Sequence, residues 1–413
     1  MDRDSLVTDF RRSPPGRPAL RVLPVCLLAA GFFASGTARL YLVPFHARAA
    51  GAGSAEVGVL FSVMQVSAAA VSIPAGLLAD RWGRRRVLVV AAALGAVSLV
   101  AISRTRSYPL ELALQALGGA SGSAGMATCM ALVVSGVPRR RLGTAVAWLT
   151  LANQVGYLAG PALAALLLRW LSVEEDLVVS GCLALVVLAL LPLLHERRWE
   201  RGRRRPTLAE LGALARRRDV VAVFFGMLAA TLLWGTVEAY LPLFARDQLR
   251  LSAPVVGGLI ALQALLNGTA RYPAGRLADQ LRWRSPAIVA LTAGYGGLLV
   301  TATQVPGLAG GLVLSGAVAL IATAFVLLAT AFASLSDEAN RATAMGVYGT
   351  AVFVGLAVGP LAFGPVVEAV DYAAGFGACA ATATVVSLVA LLGVGRRRAA
   401  RAPRTNAGPR DER

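Results

Sequence analysis

Two ionisable side chains stand where the neighbouring sequence is almost free of charge. Arg39 follows the run from Val22 to Ala38, and Glu238 follows the run from Val220 to Val237. A carboxyl group in apolar surroundings can take up and release a proton, and a guanidinium can pair with it or grip an anion. Either charge is costly when withdrawn from water without a partner, so each is a functional candidate. Phe32, Ser35 and Arg39 share one helical face at i, i+3 and i+7, as do Thr231, Trp234 and Glu238. Other polar residues interrupt apolar runs in the same way. Gln263, Asn267 and Arg271 repeat every four residues, and Asn153 and Gln154 precede Tyr157. With Phe32, Gln115 and Trp234 they describe an amphiphilic cavity lining without strong charge. Trp148, Phe325, Phe332 and Tyr348 could add an apolar wall, or face lipid, or pack between helices.

Other chemistries find no support. Gly119-Ala120-Ser121-Gly122 has the pattern of an intramembrane serine nucleophile, but the histidines that could serve as base, His46 and His195, fall at the ends of apolar runs. Cys26, Cys129, Cys182 and Cys379 lie in four different runs without CxxC or Cys/His spacing, so they read as small buried hydrophobes. There is no H-E-x-x-H, no phosphate-binding glycine loop and no dinucleotide fingerprint. No catalytic group, metal site or cofactor is expected. Any transport must draw on a gradient or run downhill.

The elements that hold these residues follow from composition. Of 413 residues, 57% are hydrophobic and only 15% charged, too apolar for a water-soluble protein. A helix needs about 20 largely uncharged residues to cross a bilayer. Such spans recur near 20–44, 56–79, 87–103, 109–136, 144–168, 176–194, 220–244, 254–278, 286–304, 308–334, 342–366 and 373–395. The Arg11-Arg12 pair is followed by Ser13-Pro14-Pro15 and then by unending apolar segments, which argues against an export signal.

The net charge of +18 comes from 40 arginines and no lysine. Thirty lie in 1–19, 80–86, 137–143, 195–219, 279–285, 335–341 and 396–413, and only six in the alternate loops. Short Arg-rich loops stay in the cytoplasm, so both termini are expected inside, with an even number of crossings. The charge is therefore a topology signal and not a nucleic-acid footprint. Exclusive use of Arg with abundant Ala and Gly suggests a GC-rich bacterial genome, hence the cytoplasmic (inner) membrane.

One constant offset of 199 superposes the two halves without a gap. Gly36-Thr37 falls on Gly235-Thr236, Tyr41 on Tyr240, and Pro74-Ala75-Gly76 on Pro273-Ala274-Gly275. Leu78-Ala79-Asp80 falls on Leu277-Ala278-Asp279, and Gly160-Pro161 on Gly359-Pro360. Each half thus carries six helices in the same order, as parallel repeats about an axis along the membrane normal. The expected architecture is all-α, with bundles at 1–194 and 220–395, a linker at 195–219 and a tail at 396–413. The linker holds nine arginines, and Thr207 to Ala215 could form a surface helix.

At the end of the second span stands Gly76-Leu77-Leu78-Ala79-Asp80-Arg81-Trp82-Gly83-Arg84-Arg85-Arg86. Asp80 and Arg84 are spaced i, i+4, and Gly83 permits a tight turn. This segment resembles the G-x-L-a-D-r-x-G-r-r signature of the major facilitator superfamily. The second copy, from Gly275 to Arg282, keeps Asp279 but carries Arg282 where Gly83 stands. The resemblance implies that these residues brace the cytoplasmic seam between the halves. Gly156-Tyr157-Leu158-Ala159-Gly160-Pro161 is similar to the fifth-helix pattern of the superfamily's proton-coupled drug antiporters. Small residues four apart let helices touch, and Pro161 loosens one helical bond, which suits a bend at a moving seam. In the family's fourth helix an Arg precedes a Gly, where this chain has Gln115 before Gly118.

The resemblance also places helices 1 and 7 face to face across a central cavity. Arg39 and Glu238 would then meet as an outer gate that couples substrate to protons. The alternative is that both sit at the interface, with Arg39 snorkelling to headgroups. The expected function is a monomeric alternating-access transporter exporting an amphiphilic small molecule in exchange for protons. Uptake of a metabolite, or a non-transporting membrane sensor of the same fold, are the rivals.

Overall fold

The computed structural model describes residues 18–136, 142–193, 216–281, 284–335 and 341–401. Those residues form helices and short turns, with no strand among them. In a lipid environment each backbone N–H and C=O must be satisfied within its own segment, and the apolar runs accordingly become helices. The first half comprises α1 (Pro18–Ala49), α2 (Ser54–Trp82), α3 (Arg84–Ile102), α4 (Tyr108–Gly136), α5 (Leu142–Leu167) and α6 (Val173–Val187), the last continued by a 3-10 turn over Leu188–Leu193. The second comprises α7 (Arg218–Asp247), α8 (Ala253–Gln280), α9 (Arg284–Gln304), α10 (Gly307–Leu335), α11 (Arg341–Ala369) and α12 (Tyr372–Arg401). Ten of them are individually long and apolar enough to cross a bilayer; α5 and α6 complete the expected twelve. The expected linker falls largely outside the described residues, as does the end of the tail.

Local chemistry marks the ends. Ser172 accepts the Glu175 amide at 3.2 Å while Glu175 takes the Ser172 amide at 2.8 Å, a reciprocal cap that starts α6. A single residue, Gly83, separates α2 from α3, at φ 94 and ψ 137. A side chain is strained in that region, so the turn needs glycine there.

Packing repeats as the 199-residue offset requires. In the first bundle α1 packs on α5 and α6, α4 on α2 and α3, and α3 on α6. In the second α7 packs on α11 and α12, α10 on α8 and α9, and α9 on α12. Between bundles the main seams are α2 with α11 and, by the same symmetry, α5 with α8. The result is two pseudo-symmetric six-helix bundles.

The glycines of the fifth-helix pattern serve the interior of a bundle and not the moving seam expected for them. A Cβ on Gly156 would stand 2.3 Å from Ala30 O, and one on Gly160 would stand 2.3 Å from Ala34 O, so both let α5 lie on the backbone of α1. Gly355 and Gly359 do the same for α11 on α7, with Leu228 O at 2.7 Å and Leu232 O at 2.2 Å. Pro161 and Tyr157 of the motif reach the seam, the Pro161 carbonyl 3.0 Å from where a Gly257 Cβ would be and the Tyr157 hydroxyl 2.8 Å from the Glu238 carboxylate.

The face opposite the termini, here the distal face, carries the turns after α1, α3, α5, α7, α9 and α11. Side-chain contacts described between the bundles run from mid-helix to this face. Gln154 donates to Asn267 at 3.3 Å near the middle, and Ser62 donates to Ala357 O at 2.6 Å further out. Tyr41 donates to Ala253 O further out again. The bundles are thus closed together distally.

Candidate functional site

A cavity lies between the bundles, lined by α1, α5, α7 and α8. Thr37, Leu40 and Tyr41 contribute from α1, and Tyr157 and Pro161 from α5. Trp234, Val237, Glu238, Leu241 and Pro242 come from α7, and Ile260 and Gln263 from α8. Its walls are aliphatic and aromatic, and Glu238 is the charged residue among them.

Both oxygens of that carboxylate are engaged. Tyr157, from the other bundle, donates to Oε1 at 2.8 Å, and Trp234, one turn earlier on α7, donates to Oε2 from Nε1 at 3.1 Å. The Trp234 ring stands edge-on to Phe325 at 6.3 Å, which fixes its orientation. Two donors suit an ionised carboxylate, which can only accept. Parting the bundles breaks the Tyr157 bond and not the Trp234 bond. Gln263 adds a buried Nε2 with no hydrogen-bond partner, a donor available to a ligand.

Arg39 does not meet Glu238, contrary to the gate expected from their equivalent positions. It is 3% exposed and turned into its own bundle. Nη1 donates to Gln115 Oε1 at 2.9 Å, and Nη2 donates to Gly95 O at 3.3 Å and to Ser98 Oγ. The guanidinium lies against Gly118, where a Cβ would be 2.3 Å from Cζ. The second half has no such slot: Gln115 and Gly118 correspond to Leu314 and Ala317, both fully buried. Glu238 therefore finds no such slot within its own bundle and faces the cavity, where Trp234 of its own helix and Tyr157 of the other bundle donate to it. Leu40 lines both the Glu238 cavity and the small pocket beside Arg39, standing between the two charges.

The remaining expected site residues divide. Tyr157, Trp234 and Gln263 come together around Glu238. Asn267 accepts from Gln154 at 3.3 Å and from Arg271 Nε at 3.0 Å, forming a polar group at mid-seam. Asn153 keeps a buried Oδ1 without a partner. Phe32 is not a cavity residue: it is buried in the first bundle against Gly125, because its face of α1 is the one directed at α4 and α6. Ser35 follows it, donating to Ser180 O at 2.9 Å. Gln115 serves Arg39 instead of the cavity. Of the cytoplasmic-seam motif, Gly83 makes the α2–α3 turn, Arg81 is exposed and Arg84 is buried; the surroundings of Gly76 and the side chains of Asp80 and Asp279 lie outside what the structure describes.

Sequence reasoning missed the opposite-charge pair that does form. Arg48 Nη2 approaches Asp247 Oδ2 at 3.7 Å. These residues are also 199 apart and opposite in sign, so the signal used for Arg39 and Glu238 was present nine residues further on. Tyr41 and Tyr240, equivalent in the repeat, both donate to backbone carbonyls across a helix interface.

Two helical bundles joined about a membrane-embedded cavity define a membrane transporter. The chain belongs to the Major Facilitator Superfamily, whose family model matches residues 25–335. It is 32% identical over 134 residues to a probable 4-methylmuconolactone transporter of Cupriavidus pinatubonensis, a match spanning 32% of this chain and 31% of that protein. It is 20% identical over 381 residues to an uncharacterized MFS-type transporter of Methanocaldococcus jannaschii, covering 90% and 95% of the two chains. The crystal structure of the nucleoside transporter NupG superposes with TM-score 0.76 at 15% identity, covering 90% of this chain and 98% of that one. That likeness is one of fold.

Proposed function

We propose that this transporter couples a proton gradient to the export of an amphiphilic small molecule, with Glu238 as the proton-carrying group. The observation that carries this reading is the position of Glu238: a carboxylate on the wall of an apolar cavity, held by one donor from each bundle and set apart from Arg39 by Leu40. In the structure's closed-distal arrangement the carboxylate is satisfied as an anion. Distal opening withdraws Tyr157 and favours proton uptake, and the return step restores the bond and releases the proton. Arg39 then has a constant part: its charge is fixed by neutral acceptors and is not cycled. The distal face is assigned to the outside, with both termini in the cytoplasm of a bacterial cell, because the Arg-rich loops lie on the opposite side.

The aromatic and aliphatic lining supports an amphiphile over a strongly charged metabolite. Uptake of a small metabolite is the second reading, and the likeness to a probable 4-methylmuconolactone transporter makes that lactone one compound to offer. Proteoliposomes enclosing a pH-sensitive dye decide between them. Ethidium, 4-methylmuconolactone and uridine are offered in turn, and proton movement opposite to or along with the compound distinguishes exchange from co-transport. Compound movement that leaves internal pH unchanged would remove proton coupling altogether.

A further inference from the structure

The distal closure also draws on residues that the proton site does not use. Glu368, in the last turn of α11, reaches across the seam to the amino terminus of α2, where its Oε2 accepts the Ala55 amide at 2.7 Å. The first amides of a helix have no partner within it and carry partial positive charge, so a carboxylate there is both hydrogen-bonded and electrostatically favoured. Here the capping carboxylate comes from the other bundle. Its approach depends on Gly53, where a Cβ would stand 2.7 Å from Glu368 Oε2. One turn along the seam, Tyr240 from α7 donates to Pro360 O at 3.1 Å. Its hydroxyl fills the space left by Gly58 of α2 and Gly364 of α11, where a Cβ would lie 1.9 and 2.2 Å away. Beside it, Arg48 of α1 meets Asp247 of α7, and Arg246 lies over the Phe45 ring at 5.2 Å.

We propose that Glu368 on the α2 amino terminus, together with the Arg48–Asp247 pair, is the latch that holds the distal side shut and is released when the transporter changes access. The proposal rests on the alternating-access reading and is independent of the role of Glu238. The surroundings of these charges suit a contact that must break. The side chains of Arg48 and Asp247 are 47% and 35% exposed, so water can solvate each when they part. Arg39, by contrast, is locked among buried partners and has no solvated alternative. An exposed ion pair is also weak and screened by salt. Such a pair biases two states without welding one of them, as a transport cycle requires.

Distances between spin labels on Ser107→Cys and Leu308→Cys, exposed near the distal turns of the two bundles, test this with exposed Cys182 changed to Ser. Double electron–electron resonance of the full chain in nanodiscs is expected to show a short-distance population in dilute buffer. Glu368→Ala and Asp247→Arg should each raise the long-distance population several-fold, and adding Arg48→Asp to Asp247→Arg should bring it back. Raising salt to 1 M in the labelled protein with the latch residues intact should also raise it, an arm that needs no latch variant to fold. A distribution unmoved by salt and by both substitutions would overturn the latch. Glu238→Gln should leave salt dependence intact, so failure of the proton assignment is separable from failure of the latch.

Discussion

Gly118→Ala is a one-methyl change whose consequence can be worked out from the seat of Arg39. The new Cβ would stand 2.3 Å from Arg39 Cζ and 2.4 Å from Nη1, so the guanidinium must retreat by about an ångström to reach ordinary contact. The bonds to Gln115 at 2.9 Å, to Gly95 O at 3.3 Å and to Ser98 do not all survive that shift. Hydrogen bonds to a charged group are worth about 1.5–3 kcal/mol each, and a side chain 3% exposed has no water to replace them. Losing one or two outweighs the roughly 1 kcal/mol that alanine gains over glycine within a helix. The expected net loss is about 0.5–5 kcal/mol, depending on whether one bond or two are lost. Gly122, one turn on, has nothing within 4 Å of its would-be Cβ, so Gly122→Ala should be neutral or slightly stabilising. Equilibrium unfolding in mixed micelles, followed by circular dichroism, compares the two. Equal stabilities would show that Arg39 is not held as described.

Three further outcomes follow from the same geometry. Gly83→Ala places a side chain at φ 94 and ψ 137 and should cost about 1–3 kcal/mol, read as a lowered thermal midpoint in detergent. Gly160→Ala drives a methyl to 2.3 Å from the Ala34 carbonyl, whereas Gly36→Ala meets nothing within 4 Å; overpacking of about 1–3 kcal/mol is expected for the first alone, and similar melting of the two would contradict the α1–α5 contact. Cysteines introduced at Ala50 and Ser252, exposed on distal turns, should react with an impermeant thiol reagent in intact cells, while one at Arg85 should not; the reverse pattern would invert the topology.

The fold was legible because lipid leaves few choices. Span length, the Arg asymmetry and one constant offset specify twelve helices in two equivalent sets. The site was legible in part. Tyr157, Trp234, Glu238 and Gln263 were visible as polar or aromatic interruptions of apolar runs, and the structure gathers them. What the offset could not give is the direction of a side chain, since equivalent backbone positions have unlike neighbours. Gln115 and Gly118 open a slot for Arg39 that Leu314 and Ala317 close for Glu238, and this difference turns the two charges apart. Phe32 was misread for a related reason. Its face of α1 lies opposite α4, and Gly125 makes room for its ring. The glycines Gly156 and Gly160 carried a pattern known from antiporters, yet their recurrence at Gly355 and Gly359 already signalled a packing role common to both bundles.

Glu238 is the group proposed to carry the coupled proton. Proteoliposomes containing wild type or Glu238→Gln, loaded with whichever of ethidium, 4-methylmuconolactone or uridine the wild type moves, test it through two rates on one preparation. These are flux driven by an imposed pH gradient and exchange of labelled for unlabelled compound at equal pH. Glu238→Gln is expected to lose the gradient-driven flux and the accompanying change in internal pH, while exchange persists. Gradient-driven flux equal to wild type in Glu238→Gln, with the same proton movement, would contradict it.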